Sequence, residues 1–221
     1  MINFAYKFIG KTGKKWCLFL IALLFFLSPS LSWGGVEPHP AESSAIDQVK
    51  ETVDAILLIL NEEHVFEEKW PEKKKEIVVL IKERFDFREL SMRALGKYWK
   101  MRTNEEKDYF VELFQDVLQN TYIDRLKTYS TEKIVFHKQI TEKEKALVYC
   151  AFLRKDQEIP MKYRARKVND SWLIYDIVIE GVSLVGNYRK QFEQIIRQDQ
   201  YSGLVAKMIE KAKKQDENLQ Q

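Results

Sequence analysis

Histidines and acidic residues are the side chains most able to carry out chemistry in this chain. Their spacing matches neither a metal site nor a catalytic pair. The three histidines, His39, His64 and His137, lie far apart in the sequence and lack the spacing of metal ligands. Asp176 and Glu180 are expected on one strand face, too far apart along it to work as a carboxylate pair. We therefore predict no metal site, no catalytic residue and no enzyme.

Ser183 and the cysteines also have explanations simpler than nucleophilic catalysis. The segment Gly181–Gly186 superficially resembles a nucleophile elbow, but its second glycine falls one position late, so Ser183 is predicted to cap a helix. Cys150 has apolar neighbours, which is typical of a buried structural thiol. Because Cys17 belongs to the N-terminal segment described next, the remaining chain has no second cysteine for an internal disulfide.

The first 34 residues have the layout of a secretory signal peptide. Four lysines precede the apolar run Trp16–Leu27, and Pro29 and small residues follow it. The run is shorter than the ~20 residues that a membrane span needs. We expect cleavage after Ser32 or Gly34, with an uncleaved membrane anchor as the alternative.

Charge is distributed unevenly between this segment and the rest of the chain. The formal net charge of +3 comes from 36 Lys and Arg against 33 Asp and Glu, and residues 1–34 hold four of the lysines and no acidic residue. Taking those four from the 36 leaves 32 basic against 33 acidic groups. Residues 35–213 are predicted to form one domain, followed by a polar tail at 214–221. A nearly neutral domain gives no electrostatic argument for binding nucleic acid.

Apolar periodicity predicts an α+β domain, in which helices precede and follow a mainly antiparallel sheet. Helical spacing covers about 43–63, 71–85, 87–98 and, from a capping box at Thr103–Glu106, 104–129. A period of two follows over 133–138, 145–153, 159–168 and 171–179, with a hairpin turn at 168–171. Helical spacing returns at Leu184 and resumes after Gly203.

The alternation within the last two strands predicts which side chains face inward. Ile159, Met161, Tyr163 and Ala165 form the dry face of the third strand. In the fourth strand, one face is predicted to hold Leu173, Tyr175, Ile177 and Ile179, opposite Trp172, Ile174, Asp176 and Val178. An apolar face of this kind suits ordinary core packing as well as a ligand cavity, so periodicity leaves both open.

Two stretches carry a more specific signal. The first comprises Phe85–Trp99, Thr103–Phe114 and Thr121–Tyr122, and the second comprises Trp172–Val185 and Asn187–Phe192. In the second, Trp172, Tyr175-Asp176 and Glu180-Gly-Val-Ser183 form one continuous pattern. Together these stretches resemble the MlaC family, the periplasmic phospholipid-binding component of the Mla (Ttg2, toluene-tolerance) ABC transport system. The resemblance covers essentially the whole chain after the signal peptide.

The resemblance implies a function that composition does not. It implies a soluble periplasmic carrier, with phospholipid as cargo and no cofactor. The carrier would shuttle lipid between an outer-membrane lipoprotein complex and an inner-membrane ABC transporter, maintaining outer-membrane lipid asymmetry. The alternatives are a cavity enzyme of isomerase type and a binder of another hydrophobic ligand, such as a hopanoid or a small hydrophobe.

The resemblance also implies where the cargo would lie. It suggests an apolar cavity enclosed between a curved sheet of four to five strands and the helices around it. Ten residues on the inward faces are the candidates for lipid contact: Leu95, Tyr98, Phe110, Phe114, Val117, Val148, Met161, Tyr163, Ile177 and Ile179.

Overall fold

The computed structural model describes residues 43–62, 69–123, 133–154 and 157–217. These residues form five α-helices, one 3₁₀ helix and a five-stranded sheet, which confirms the predicted α+β class. The predicted signal peptide at 1–34 and the predicted end of the long helix, with Leu126 and Tyr129, lie outside the described residues.

The helices begin where the sequence offers capping groups. The Ser44 and Asp86 side chains accept hydrogen bonds from the first turns of α1 and α3, and Pro71 lies in the first turn of α2. Thr103 and Glu106 form the predicted capping box of α4. The bounds are α1 Ala45–Leu60, α2 Trp70–Arg84, α3 Phe87–Leu95, the 3₁₀ helix Gly96–Met101, α4 Asn104–Tyr122 and α5 Leu184–Glu217.

The sheet is an antiparallel meander in which each strand pairs with the next along the chain. Its strands are β1 Lys133–Glu142, β2 Lys145–Arg154, β3 Gln157–Val168, β4 Ser171–Ile179 and β5 Val182–Ser183. The predicted hairpin turn between β3 and β4 is present, with Asn169 at φ 53°. The first strand is longer than predicted, since it continues from residue 138 to Glu142.

A β-bulge corrects the predicted faces of β4. Arg164 pairs with Asp176 and the next residue, Ala165, pairs with Ile174, so Tyr175 is an extra residue in β4. Ile174 therefore shares the inner face with Ile177, and the prediction that they lie on opposite faces is wrong. Strict alternation fails here because one inserted residue reverses the side-chain direction of everything before it.

Helix α5 changes direction at Gln200, which has φ 62° and ψ −177°. The sequence pattern predicts this break at Gly203, three residues later. Gly203 permits the kink, because a Cβ atom there would lie 2.4 Å from the Cβ of Asp199. The helix continues to Glu217, into the predicted polar tail at 214–221.

The core lies between the inner face of the sheet and the helices. Helix α1 crosses that face and contacts β1, β2 and β4, while α2 packs on α1 and β4. Helices α3, α4 and α5 pack on one another beside β4 and β5. Within the described ranges, no helix has the length and apolar character to cross a membrane.

Candidate functional site

Two small cavities lie among the described residues, between the inner sheet face and the helices. Cavity 1 has a volume of about 20 Å³ and cavity 2 of about 40 Å³, enough for one to a few water molecules. Cavity 1 is lined by Val49, Thr52, Val53, Ile56, Ile81, Arg84, Phe85, Tyr163, Ile174 and Ile177. Cavity 2 is lined by Ile81, Phe85, Phe87, Leu90, Leu118, Gln119, Tyr122, Ile123, Ile177 and Leu184.

Three side chains line both cavities, and we call them the shared wall: Ile81, Phe85 and Ile177. Phe85 ends α2 and is only half-buried. Its backbone bridges to Ile174 of β4, and the next amide, Asp86 N–H, donates to Ile174 O over 2.8 Å. The backbone of this junction is fixed to the sheet, whereas the side chains of the shared wall border empty space.

The lining is apolar with a polar rim at one end of cavity 1. Arg84 is the one charged side chain among the described lining residues. Its Nε donates to Thr52 Oγ1 over 2.8 Å, and its Nη1 donates to Gln48 Oε1 over 2.6 Å and to Trp172 O over 3.2 Å. Burial lowers the pKa of the Arg84 guanidinium, which nearby Glu51 and Glu83 partly offset.

Gln48 joins this rim to the sheet. Its Oε1 accepts from Trp172 N over 2.9 Å as well as from Arg84, and its Nε2 donates to Asp170 O over 3.1 Å and to Ser43 O over 3.2 Å. The Gln48 amide is buried and fully used. It therefore holds α1, the end of α2 and the start of β4 together at the rim.

Cavity 2 contains one polar atom of a different kind. Gln119 Nε2 is buried and has no hydrogen-bond partner among the described residues. A buried amide donor left unpaired costs roughly 1–3 kcal/mol.

The acidic and nucleophilic candidates lie away from the cavities and have structural partners. Asp176 accepts from Arg164 Nη1 over 2.8 Å, Ser183 Oγ over 2.7 Å and Val185 N over 3.0 Å. Ser183 Oγ in turn accepts from Gly186 N over 2.8 Å, which confirms it as the cap of α5. Within the described ranges, no three His, Cys, Asp or Glu residues are grouped as metal ligands.

The two titratable groups on the inner sheet face are kept neutral by burial. Burial raises the pKa of the Cys150 thiol to about 12 and that of the Tyr163 phenol well above its ordinary value. A thiol with so high a pKa is unreactive at neutral pH, because the thiolate is the nucleophile. The prediction that Cys150 is buried is confirmed.

Comparison with known proteins identifies this arrangement. A family model described as "MlaC protein" matches residues 50–210, which include the sheet and all five helices in whole or in part. The chain belongs to the MlaC family. The MlaC model thus extends well beyond the two stretches that carry the resemblance in the sequence.

Two MlaC-like proteins give the extent of the similarity. The chain is 24% identical over 126 residues to the intermembrane phospholipid transport system binding protein MlaC of Haemophilus influenzae, covering 54% of this chain and 59% of that protein. It thus spans little more than half the length of this relative. The fold matches that of a phospholipid-binding protein from Ralstonia solanacearum, solved in complex with a phospholipid. That match has a TM-score of 0.69 at 24% identity and covers 78% of this chain and 98% of the other.

In this MlaC fold, five of the ten predicted contact residues share the inner sheet face. Tyr163 and Ile177 line the cavities, and Val148 pairs with Tyr163 in the next strand. Met161 and Ile179 pair with each other one row further along. All five are buried. The sheet therefore brings these predicted residues together, with two of them at the cavities.

The five predicted helical residues lie elsewhere. Phe110 and Phe114 pack with Tyr188 and Phe192 of α5 into what we call the aromatic cluster. Leu95 and Val117 are buried outside the described cavity linings, and Tyr98 is half-buried with Lys97 Nζ 5.1 Å from its ring centroid. Whether any of these residues contacts lipid remains a prediction.

Sequence reasoning missed the cavity residues on α1, on the end of α2 and on the end of α4. Val53, Ile56 and Leu118 belong to stripes that differ in no residue type from ordinary core stripes. Arg84 offered the one usable signal, because it places a charge immediately before Phe85 at the apolar end of a helix.

Proposed function

We propose that this protein is a periplasmic carrier of phospholipid in intermembrane lipid transport. The observation that carries the proposal is a pair of apolar cavities that have the shared wall in common. Cavity 1 lies between the sheet, α1 and α2, and cavity 2 lies among the end of α2, α3, the end of α4 and the start of α5. Membership of the MlaC family supports it, as do a relative named for intermembrane phospholipid transport and a fold match solved with phospholipid. Residues 1–34 would direct export and then be removed.

The free energy of lipid transfer explains why a carrier needs such an interior. Burying one methylene is worth ~0.8 kcal/mol, so two acyl chains of roughly 15 methylenes each would cost ~24 kcal/mol to expose to water. Spontaneous crossing of an aqueous compartment is therefore negligible. An apolar interior that nearly matches the bilayer removes this barrier, and strong polar recognition is not required for it.

Loading must enlarge the interior. Cavities of about 20 and 40 Å³ are far smaller than the ~300–1,000 Å³ of ordinary ligand pockets, and a phospholipid needs the upper end of that range or more. Helix α2 buries three side chains, Trp70, Ile77 and Ile81, against nine buried residues in α1. At about 1.5–3 kcal/mol each, exposing those three costs less than the acyl chains would gain. We infer that α2 and the shared wall move aside as lipid enters.

Transport requires partners at both membranes. We propose that the carrier exchanges lipid with an inner-membrane ABC transporter of Mla type and with an outer-membrane lipoprotein complex, and so maintains outer-membrane lipid asymmetry. Exchange has to occur while the carrier is docked, since the loaded lipid gains nothing by entering water. Charge complementarity would steer these encounters, and exchange should slow as salt concentration rises.

The direct test is to recover the cargo. The full chain, including its leader, is expressed, isolated from the periplasmic fraction and extracted with organic solvent, and the extract is examined by mass spectrometry. We expect phospholipid in stoichiometric amount and a mature N-terminus after Ser32 or Gly34. An extract without phospholipid, together with no transfer of labelled phospholipid between vesicles, would reject the carrier. Retention of Met1 in a membrane fraction would reject the exported form.

A further inference from the structure

We propose that the free edge of β1 pairs with the same edge of a second copy of this chain, which joins the two five-stranded sheets into one. The inference goes beyond the proposed function, because β1 lines neither of the described cavities and the pairing needs no lipid. It commits to one partner, a second copy related by a two-fold axis.

The edge of β1 is long and open. The strand runs over ten residues, Lys133–Glu142, and pairs on one side with β2. Among the described residues, no strand pairs with its other side. A long edge strand presents a row of backbone N–H and C=O groups on which another strand can form. The opposite edge of the sheet is β5, which has two residues and leads directly into α5. Pairing through β1 therefore ends at two copies and does not continue into a fibre.

A β-bulge brings two exposed apolar side chains of β1 onto one face. The register of β1 against β2 shifts by one residue near the middle of the strand, so that Val135 pairs with Ala151 and Ile140 with Leu147. Because Ala151 and Leu147 lie an even number of positions apart, Val135 and Ile140 share the outer face of the sheet. Without the bulge they would point to opposite faces. Their side chains are 39% and 49% exposed.

This outer side of β1 is complementary to itself when two copies run antiparallel. A two-fold axis between residues 137 and 138 places Lys133 of each copy opposite Glu142 of the other. The same register places Val135 opposite Ile140, again twice. Lys133 and Glu142 are exposed, share the outer face, and form no ion pair with a described residue. Opposite charges and aliphatic pairs that lie directly across a sheet are stabilising.

The order of the charges favours a second copy over other occupants. An anionic membrane or an acidic strand would be attracted to Lys133 and repelled by Glu142 at the other end of β1. Two-fold symmetry reverses this order, so both ends are matched at once. The inner face of β1 is already covered, since Ile134 is 2% exposed and the Ile46 amide of α1 donates to Gln139 Oε1 over 2.7 Å. The edge and the outer face are what remains for the second copy.

The first test measures self-association by sedimentation velocity, with the protein isolated from the periplasmic fraction after expression of the full chain. We expect a monomer–dimer equilibrium without larger species. Lys133→Glu and Glu142→Lys each turn two attractive pairs into repulsive ones, so each should raise the dimer dissociation constant about tenfold. The double variant restores opposite charges and should return close to the wild type. Lys82→Glu, the same charge change on exposed α2, is the matched control and should have little effect.

A second test checks the register through disulfide formation. When Val135→Cys and Ile140→Cys are combined, the new cysteines lie directly opposite each other across the two copies, within the range that a disulfide spans. Mild oxidation should therefore give a covalent dimer. Val135→Cys alone faces Ile140 of the second copy and should cross-link far less.

The contrary outcomes are distinct from one another. A wild type that stays monomeric at every concentration would overturn the inference, as would a dimer that neither charge reversal weakens. Loss in both single variants without recovery in the double variant would overturn the register. Flotation of the monomer with phosphatidylglycerol vesicles, abolished by Lys133→Glu, would assign the edge to a membrane and overturn the second copy. None of these measurements uses lipid cargo, so the extraction test of the proposed function stands or fails separately.

Discussion

The interior has two sides that use similar residues in different ways. Between α4 and α5, the aromatic cluster packs edge to face, with the Phe114 ring centroid 4.9 Å from Tyr188 and 5.0 Å from Phe192. Around the shared wall, the half-buried Phe85 and mainly apolar side chains from the sheet, α1, α2, α3 and the end of α4 leave the two cavities. The first side has closely packed rings, and the second borders both cavities.

This difference assigns the two sides different tasks. The filled side, together with the Asp176 hydrogen bonds, fixes α5 to the end of the sheet and sets the shape of the domain. We expect the side with the cavities to be the one that changes volume, because its lining already borders empty space. Residue type alone does not separate the two, since large apolar side chains serve both.

The largest effect expected from the comparison is on stability, at Phe114. Phe114→Ala removes a fully buried ring from the aromatic cluster and should lower the free energy of unfolding by about 4 kcal/mol. Phe85→Ala removes a half-buried ring of the shared wall and should lower it by about 1–2 kcal/mol. Urea unfolding followed by circular dichroism measures both.

The lipid content of the same two variants supplies the control. Phe85→Ala should change the amount of lipid recovered on extraction more than its stability, whereas Phe114→Ala should lose lipid only as far as it unfolds. Equal destabilisation by the two substitutions would mean that the cavity side is packed as tightly as the aromatic side.

The next largest effect concerns Asp176, which joins β4 to the start of α5. Asp176→Ala leaves the Val185 amide, the Ser183 hydroxyl and Arg164 without their acceptor, and should cost about 3 kcal/mol of unfolding free energy. Asp108→Ala breaks the exposed pair with Arg88 and should cost below about 1 kcal/mol. If both variants unfold at the same urea concentration, the hydrogen bonds of Asp176 contribute no more to stability than an exposed ion pair does.

Much of the fold could be predicted because its signals are local. The stripe of α1, the capping box at Thr103 and Glu106, and the hairpin turn at Asn169 each depend on a few neighbouring residues. The bulge at Tyr175 could not be predicted, because it is set by pairing with β3, and no residue type in β4 marks it.

The cavity was harder to predict than the fold for a physical reason. Burial selects the same apolar residues whether a side chain meets another side chain or an empty volume. The aromatic residues Phe110 and Phe114 were therefore as plausible as Tyr163 and Ile177, although only the latter pair borders the cavities. The polar rim was missed because Arg84 resembles any charged residue near the end of a helix, until its partners in α1 and β4 are known.

A smaller effect is expected when a larger side chain is substituted on each of the two sides. Leu95 and Ile177 are both 2% exposed and have the same number of side-chain atoms, but only Ile177 borders the described cavities. Leu95→Phe should cost about 2 kcal/mol of unfolding free energy through overpacking, and Ile177→Phe below about 1 kcal/mol because the ring can enter empty space. Ile177→Phe should nevertheless reduce recovered lipid. A cost at Ile177 as large as that at Leu95 would show that the cavities are too small to accept the ring.

The smallest effect tests whether the sheet beneath the cavities is dry, through the pH dependence of stability. Burial raises the pKa of the Cys150 thiol from 9.0, its value when exposed, to about 12 in the folded chain, because burial disfavours the charged form. Its contribution is therefore complete below pH 9 and is lost as the pH rises toward 12, with a loss on the order of 1 kcal/mol at pH 10. Urea unfolding of the wild type at pH 8 and pH 10 should show that loss, and Cys150→Ala should remove it, leaving any contribution of Tyr163. The same pH dependence in Cys150→Ala as in the wild type would mean that burial does not raise the pKa of this thiol and that the inner sheet face is not dry there.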